Sequence, residues 1–252
     1  MLLETGDTIS YNGNKRFPMQ SVYKLPIAMA VFAKVDRDKL SLKKQHKIET
    51  SDYIAKAGYS PLRDKFPNGI QLSLEELLYF NIESDGTACD VLLKLLGGTK
   101  NAERYIHQLG VKDIAIATTE MIQVANDTIQ YQNWTTPKAM TQLLKAFYSD
   151  NVLSSESKAL LVKFMAESQP GKNRLKGLLP KGVVVAHKTG TAGTSHNGLT
   201  RATNDVGVIT LPNGQHLAIS VFISDSYASE RDRELTIAKI SKTIFDYRTS
   251  SK

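Results

Sequence analysis

Strand-like segments lie at both ends of the chain, and helical patterns fill the region between them. Short runs bounded by turn residues predict strands at 2–11, 182–187, 205–211 and 216–224. The last two flank Pro-Asn-Gly-Gln at 212–215, a sequence typical of a hairpin turn. Periodic apolar patterns predict helices that begin near residue 21 and at 73–80, 87–96, 101–109, 137–148, 155–167 and 230–247.

This order favours a helical unit inserted into a sheet that uses both chain ends. We therefore predict an α/β (α+β) protein, with a sheet domain at 1–18 and 167–252 and an all-helical domain at 19–166. A chain of 252 residues is long enough to bury the core that such an arrangement needs.

Composition excludes several kinds of site. The net charge of +7 comes from dispersed basic residues, so we expect a solvated basic surface and no nucleic-acid partner. Cys89 is the single cysteine, which excludes an internal disulfide and a cysteine-based zinc site. The five histidines are scattered, so we expect no metal, and no apolar run reaches the roughly 18 residues that a membrane span requires.

Three Ser-x-x-Lys sequences occur, at Ser21, Ser41 and Ser155, and about one is expected by chance at ordinary composition. Ser21 differs because it begins an apolar helical run, where free backbone N–H groups favour a developing negative charge. Lys24 would lie on the same face, and its burial there should lower its pKa and make it a plausible base. For this motif alone, a simple helix cap at Ser21 is the favoured interpretation.

Two further triplets lie at predicted element junctions. Ser84-Asp85-Gly86 separates two helices and by itself is typical of a cap and turn. Lys188-Thr189-Gly190 follows the predicted strand at 182–187 and continues into Thr191. A lysine and two hydroxyls beside a glycine suit the capture of a carboxylate.

Together and in this order, the three elements are similar to the Ser-x-x-Lys, Ser-Asp-Asn and Lys-Thr-Gly motifs of class A β-lactamases and penicillin-binding proteins. The whole chain resembles the class A serine β-lactamases, particularly their PER-like branch. The stretches that carry the resemblance are Arg-Phe-Pro-Met-Gln-Ser-Val-Tyr-Lys at 16–24, Tyr-Ser-Pro at 59–61, Tyr-Gln-Asn-Trp-Thr-Thr-Pro at 131–137, Arg-Leu-Lys-Gly-Leu-Leu-Pro at 174–180 and Ala-His-Lys-Thr-Gly-Thr at 186–191.

The resemblance implies a five-stranded antiparallel sheet flanked by helices, with the active site in the cleft between the two domains. It implies that Ser21 attacks the lactam carbonyl, and that the N–H groups of Ser21 and Thr191 form the oxyanion hole. Lys24 and Glu120 are then the two candidate bases for acylation. Glu120 would also activate the water that releases the acyl group.

The remaining roles also follow from the resemblance. Ser84 and Lys188 would pass a proton to the departing lactam nitrogen, and no cofactor is needed. The residues that the resemblance places against the substrate are Tyr59, Gly86, Arg174, Thr189, Gly190 and Thr191.

The sequence departs from the family pattern at three places. Gly86 stands where the family has the Asn of Ser-Asp-Asn, so a side-chain amide toward the substrate's acylamino group is missing. Val124, four residues after Glu120, cannot make the hydrogen bond that Asn or His there gives to the hydrolytic water. The Ω-loop (118–133) has Thr118 and Asn133 where the family ties the loop ends with Arg and Asp.

Two alternative functions share the motifs. A penicillin-binding D-alanyl-D-alanine peptidase would have the same fold without Glu120 and the stretch at 131–137, both of which favour the lactamase. A slowly deacylating or non-catalytic β-lactam receptor needs only an acylated Ser21 that is not released. We expect hydrolysis, with cephalosporins preferred over penicillins by analogy with the PER-like branch.

Location and assembly are inferred from the resemblance, which implies a periplasmic or secreted protein. The first residues do not have the pattern of a signal peptide, and the helix that the family places before the first strand is missing from this sequence. We therefore expect a truncated chain or a misplaced start. We also expect a monomer, with a small β-lactam as the partner.

Overall fold

The computed structural model describes residues 1–250, the side chain of Asp127 aside. Helices dominate the region between the two chain ends, as the sequence patterns predict. The α-helices among the described residues are α1 (Lys24–Asp38), α2 (Pro61–Lys65), α3 (Leu74–Ile82), α4 (Gly86–Leu96), α5 (Thr99–Gln108), α6 (Glu120–Ala125), α7 (Pro137–Tyr148), α8 (Ser155–Glu167) and α9 (Glu230–Ser250).

Three small antiparallel sheets accompany the helices. Their strands are β1 (Phe17–Pro18), β2 (Gln45–Ile48), β3 (Ile70–Ser73), β4 (Trp134–Thr135), β5 (Val185–Thr191), β6 (Thr200–Thr210) and β7 (His216–Ser226). The largest sheet has the order β5-β6-β7, while β1 pairs with β4 and β2 pairs with β3. The mixed α/β architecture is therefore confirmed.

The hairpin and most helix ends follow from local sequence signals. β6 and β7 are joined at 212–215, where Gly214 has φ +83°, a conformation that glycine adopts without steric cost. α3 begins at a capping box in which Ser73 and Glu76 exchange side-chain and backbone hydrogen bonds. α7 and α8 have the bounds that their apolar periods predict.

The sheet differs from the prediction in strand number. Among residues 1–250 the main sheet has three strands, not the expected five. The predicted strand at 2–11 is reduced to an isolated bridge between Leu2 and Leu217. The reason is local, because the N–H of Gly6 turns back to the carbonyl of Leu2 and Gly6 takes φ +81°. The chain thus leaves the sheet edge after its first residues.

The strand predicted at 182–187 is displaced along the chain. β5 runs from Val185 to Thr191 because its pairing with β6 continues as far as Thr191 opposite Thr203. Lys188, Thr189 and Gly190 therefore lie within a paired strand and not in the loop after it. The backbone of this triplet is fixed by the hydrogen bonds of the sheet.

Two apolar clusters cover the two faces of the main sheet. The larger cluster contains Val206 and Ala218 of the sheet, against which α7 and α8 lie, and extends to α1, whose residues from Leu25 to Met29 are almost fully buried. In the smaller cluster, α9 contributes Ile237 and Phe245 to the opposite face. No helix within residues 1–250 is both long and apolar enough to cross a membrane.

The predicted domain limits at residues 18/19 and 166/167 stay predictions, and residues 251–252 of the sheet domain lie outside the described part of the chain. One direct connection between the two regions bears on the site. The buried Asn204 of β6 donates its amide to the carbonyls of Pro18 and Met19, at 2.8 and 3.1 Å. This fixes the segment immediately before Ser21 against the sheet.

Candidate active site

Ser21 lies on a 3₁₀ turn, Gln20–Tyr23, that runs directly into α1. Side chains three residues apart eclipse one another on a 3₁₀ helix, so Lys24 stands beside Ser21. Its Nζ donates a hydrogen bond to Ser21 Oγ at 2.9 Å. The side chain of Ser21 caps neither helix, since the cap positions are Met19 and Tyr23. The interpretation of Ser21 as a simple cap is therefore wrong.

Lys24 also forms a short hydrogen-bonded ion pair with Glu120, 96 residues further along the chain. The lysine side chain is fully buried, and that of Glu120 is 16% exposed. Burial lowers the pKa of Lys24, but the nearby carboxylates of Glu120 and Asp90 outweigh it, so the pKa lies above its ordinary value. The expectation that burial leaves Lys24 with a lowered pKa is wrong, because that expectation omitted the carboxylate partner.

The other two Ser-x-x-Lys sequences make no comparable pair. The hydroxyl of Ser41 accepts a hydrogen bond from the backbone of Lys43. Lys158 reaches Asp150 and the carbonyl of Tyr148, away from Ser155. Ser21 is thus distinguished from the other two by tertiary structure.

Ser84 and Lys188 form a second hydroxyl–lysine pair. Ser84 has φ +75°, an uncommon backbone conformation for a residue with a side chain. In this conformation its Oγ accepts a short hydrogen bond from Lys188 Nζ. Asp85, the next residue, caps α4 and accepts hydrogen bonds from the backbone of Leu62 and Ala88, which holds the turn in place.

Lys188 is fully buried, and among the described side chains no carboxylate forms a salt bridge with its ammonium group. Burial first, and the charge of Lys24 second, lower the pKa of Lys188 to about 7. The two lysines of the site therefore differ. Lys24 is held in the charged form by Glu120, while Lys188 exchanges its proton near neutral pH.

β5 packs tightly against the turn that carries Ser21. A β-carbon on Gly190 would lie 2.3 Å from the carbonyl oxygen of Met19 and 3.1 Å from the backbone nitrogen of Val22. Only glycine allows the strand to pass at this distance. Ser21 and Thr191, the residue after Gly190, line the same cleft.

Arg174 lies behind β5 and reaches the site through Thr191. The guanidinium is buried and donates to the hydroxyl of Thr191 at 2.8 Å and to the carbonyls of Gly190 and Asn204. Its Nε pairs with Glu234 at 3.0 Å. Arg174 thus orients the Thr191 hydroxyl and contributes positive charge from below the cleft surface.

Ser21, Ser84 and Thr191 meet in an open cleft of about 520 Å³, and the buried side chains of Lys24, Lys188 and Arg174 hydrogen-bond to them. Its lining residues are Ser21, Tyr59, Glu83, Ser84, Gln169, Pro170, Thr189 and Thr191. Tyr59 is 62% exposed and lines the cleft, and its role at the substrate entrance stays a prediction. Sequence reasoning missed Glu83 and the segment at 169–170, which carry no motif. Among residues 1–250, no cluster of three or more His, Cys, Asp or Glu side chains is arranged to hold a metal.

Comparison with known proteins gives the family. A model of the Beta-lactamase enzyme family matches residues 1–248. Beta-lactamase VEB-1 of Pseudomonas aeruginosa is 44% identical over 96% of this chain and 81% of its own length, and extended-spectrum beta-lactamase PER-1 of the same organism is 41% identical over 94% and 77%. A crystal structure of a class A beta-lactamase from Bacteroides cellulosilyticus DSM 14838 superimposes with a TM-score of 0.92, at 37% identity over 96% of this chain and 87% of that one.

The chain belongs to the class A β-lactamases. It is a hydrolase that acts on β-lactams, and the PER-like resemblance of its sequence is confirmed.

Two departures from the usual class A pattern lie on α4 and α6. Gly86 is the first residue of α4, and its N–H donates to the carbonyl of Tyr59 at 2.9 Å. Val124 is half-buried in α6, one turn after Glu120.

The ends of the Ω-loop are tied by a different device from the usual Arg–Asp pair. The side-chain oxygen of Asn133 accepts hydrogen bonds from the N–H groups of Ala117 and Thr118, at 2.7 and 2.9 Å. Its amide nitrogen donates to the carbonyl of Thr118 at 2.8 Å. One fully buried amide thus accepts two hydrogen bonds and donates a third, and these three bonds tie residues 117, 118 and 133 of this β-lactamase together.

Asp90 is a site residue that sequence reasoning missed. Its two carboxylate oxygens accept hydrogen bonds from the N–H groups of Glu120 and Met121, each at 2.8 Å. Burial raises the pKa of Asp90 to about 6, although both N–H groups favour its charged form. Asp90 therefore holds the backbone that carries Glu120. It lies in the middle of α4, where an isolated acidic residue gives no signal of a long-range contact.

Asp90→Asn should lower kcat for a β-lactam by roughly tenfold, because the amide has only one acceptor oxygen for two N–H groups. Steady-state kinetics with a chromogenic cephalosporin measures the loss. Asp150→Asn, which changes a carboxylate that is 95% exposed, is the matched control and should keep wild-type kcat. Equal kcat in Asp90→Asn and wild type would contradict the positioning role of Asp90.

The pKa of Lys188 predicts an alkaline limb in kcat/KM. Above a pH of about 7 the free enzyme loses the ammonium that attracts the substrate carboxylate, so kcat/KM should fall with a midpoint there. In kcat the midpoint should move to higher pH, because the bound carboxylate stabilises the charged lysine. Lys188→Arg stays charged and should lose the limb, while Lys94→Arg, at a side chain that is 78% exposed, should keep it. A limb near pH 7 that persists in Lys188→Arg would assign it to another group.

Proposed function

We propose that this β-lactamase hydrolyses the lactam amide through an acyl-enzyme on Ser21. The observation that carries the proposal is the double contact of Lys24 Nζ, which joins Ser21 Oγ to the carboxylate of Glu120. A nucleophile hydrogen-bonded to a group that is in turn held by a third is the arrangement that activates a serine. The cleft around Ser21 is open enough to admit a bicyclic substrate.

In the acylation step, Ser21 Oγ attacks the carbonyl carbon and the lactam C–N bond breaks. Because its raised pKa keeps Lys24 charged, Lys24 cannot hold an additional proton. It passes one of its own protons to Glu120 as it takes up the proton of Ser21, so Glu120 is the final acceptor. The N–H groups of Ser21 and Thr191 stabilise the oxyanion. Ser84, hydrogen-bonded to Lys188, delivers the proton that the departing nitrogen takes up.

Deacylation needs a water molecule, and Glu120 is the base that we assign to activate it after it has released to solvent the proton that it accepted in acylation. Asp90 fixes the Glu120 backbone, but Val124 offers no hydrogen bond to the water. We therefore expect release of the acyl group to be slower than its formation.

We assign substrate binding to β5, across the cleft from Glu120. Thr189 and Thr191 present hydroxyls to the substrate carboxylate, and Lys188 and Arg174 supply positive charge behind them. Cephalosporins are the substrates that we propose to be preferred, on the similarity to PER-1 and VEB-1. The same similarity supports a monomer that works in the periplasm or outside the cell.

Intact-mass spectrometry during turnover of nitrocefin tests the acyl-enzyme directly. The wild-type chain should turn over continuously, whereas Ser21→Ala should lose both turnover and any adduct. Ser41→Ala is the matched control, since it removes the serine of another Ser-x-x-Lys sequence and should stay active. Glu120→Gln should accumulate a stoichiometric adduct, and Glu156→Gln on the surface should not.

Two outcomes would contradict the proposal. Undiminished turnover in Glu120→Gln would remove Glu120 from deacylation. A single stoichiometric burst with a permanent adduct in the wild-type chain would mean a β-lactam receptor. The same assay with benzylpenicillin as competitor substrate measures the preference, which is wrong if kcat/KM is higher for the penicillin.

A further inference from the structure

We propose that Ile54 is a specificity-determining residue of this β-lactamase. Its δ-methyl occupies the space that any side chain at position 86 would need, and it thereby keeps an amide out of the substrate site. The proposal rests on the function proposed above, because it concerns the substrates of the same cleft.

Glycine is required at position 86 because neighbouring atoms leave no room for a β-carbon, and not because of its backbone conformation. Its φ is not in the left-handed region, so the backbone would accept any residue. A β-carbon there, however, would lie 2.3 Å from Ile54 Cδ1, far inside van der Waals contact. It would also lie 3.2 Å from Glu120 Oε2 and 3.3 Å from the carbonyl oxygen of Tyr59. Ile54 is therefore the principal obstacle.

Gly58 shows the same relation to the same methyl group. Its φ is also outside the left-handed region, and its β-carbon would lie 2.6 Å from Ile54 Cδ1 and 2.5 Å from Val124 Cγ2. Ile54 thus fills a notch between two glycines, and Val124 of the Ω-loop closes one side of it. We call this group, made of Ile54, Gly58, Gly86 and Val124, the Ile54 notch.

Ile54 has little freedom to leave this position. Its side chain is 1% exposed, and its N–H donates to the hydroxyl of Thr87 at 3.3 Å. Arg63 donates to the carbonyls of Ile54, Ala55 and Gly58 at 2.7–3.1 Å, which clamps the segment on both sides of the notch. A larger residue at position 86 must therefore displace a packed side chain.

The notch explains two departures from the class A pattern together. The missing amide at position 86 and the apolar Val124 are both parts of one apolar contact between α4, α6 and the segment at 54–58. Ile54 Cδ1 and Glu120 Oε2 both lie within 3.2 Å of the same point, so this contact also forms the apolar wall beside Glu120. At this position the usual family pattern offers the substrate's acylamino group a hydrogen bond, and Gly86 has no side chain to offer one. Discrimination in favour of acylamino β-lactams should accordingly be weak.

Adding a methyl group at residue 86 and removing one at residue 54 tests the packing of Ile54 against Gly86; we call this pair of substitutions the methyl exchange. Gly86→Ala should lower both the thermal midpoint and kcat/KM, because its β-carbon overlaps Ile54 Cδ1. Ile54→Val deletes that carbon, so Ile54→Val/Gly86→Ala should recover most of both losses. Ile106→Val removes a δ-methyl from another fully buried isoleucine and is the matched control. It should not rescue Gly86→Ala. Additive losses in the Ile54/Gly86 cycle, or equal rescue by Ile106→Val, would overturn the proposal.

A second pair of variants tests specificity. In Ile54→Val/Gly86→Asn the amide has space, so the ratio of kcat/KM for benzylpenicillin to that for 6-aminopenicillanic acid, which has no acyl group, should rise about tenfold over wild type. If Ile54→Val/Gly86→Asn does not fold, the same ratio is measured in Ile54→Ala/Gly86→Asn, which leaves more space for the amide. An unchanged ratio in folded protein would overturn the role in specificity.

The two proposals fail in different ways. If the acyl-enzyme assignment is wrong, the wild-type chain will show no turnover that depends on Ser21. The thermal midpoints of the methyl exchange do not depend on turnover, so they still decide whether Ile54 fills the space at position 86.

Discussion

The site depends on one buried ammonium group, that of Lys24, held between Ser21 and Glu120. An isolated charge in the protein interior costs several kcal/mol, and only a well-placed carboxylate offsets that cost. The partner comes from the Ω-loop, so the ion pair requires that loop to be closed and its backbone fixed. Asn133 ties the loop ends and Asp90 holds the N–H groups at Glu120. The geometry of the loop, the pKa of Lys24 and the position of the proposed nucleophile Ser21 thus depend on one another.

The same charge shapes the second half of the cleft. Lys188 is buried and forms no salt bridge with a described carboxylate, and the neighbouring charge of Lys24 further lowers its pKa. One lysine is therefore fixed as a cation while the other can exchange its proton near neutral pH. This division suits a site in which a permanent charge orients the nucleophile and a mobile proton reaches the leaving nitrogen. Opposite shifts of this kind are typical of functional sites.

Local sequence was sufficient to predict most helices and the hairpin, but it was not sufficient to predict the long-range contacts between them. Apolar periods, the capping box at Ser73 and the 212–215 turn predict most helix and hairpin limits, because these features depend on near neighbours. The motif order singled out Ser21, Ser84 and Lys188. Contacts that depend on tertiary structure could not be predicted. These include Asp90 beneath Glu120, the contact of Gly86 with Ile54, and the extension of β5 through Thr191. The pKa of Lys24 was predicted in the wrong direction for the same reason.

The charge of Lys24 in the resting enzyme is the most direct test of this account. NMR of side-chain-labelled lysines can follow Lys24 and Lys188 in one titration from about pH 5 to about pH 10. We expect Lys188 to titrate near pH 7 and Lys24 to remain an ammonium throughout that range, because Glu120 stabilises its charge. A Lys24 signal that becomes neutral below about pH 8 would contradict the central ion pair and favour Lys24 itself as the base.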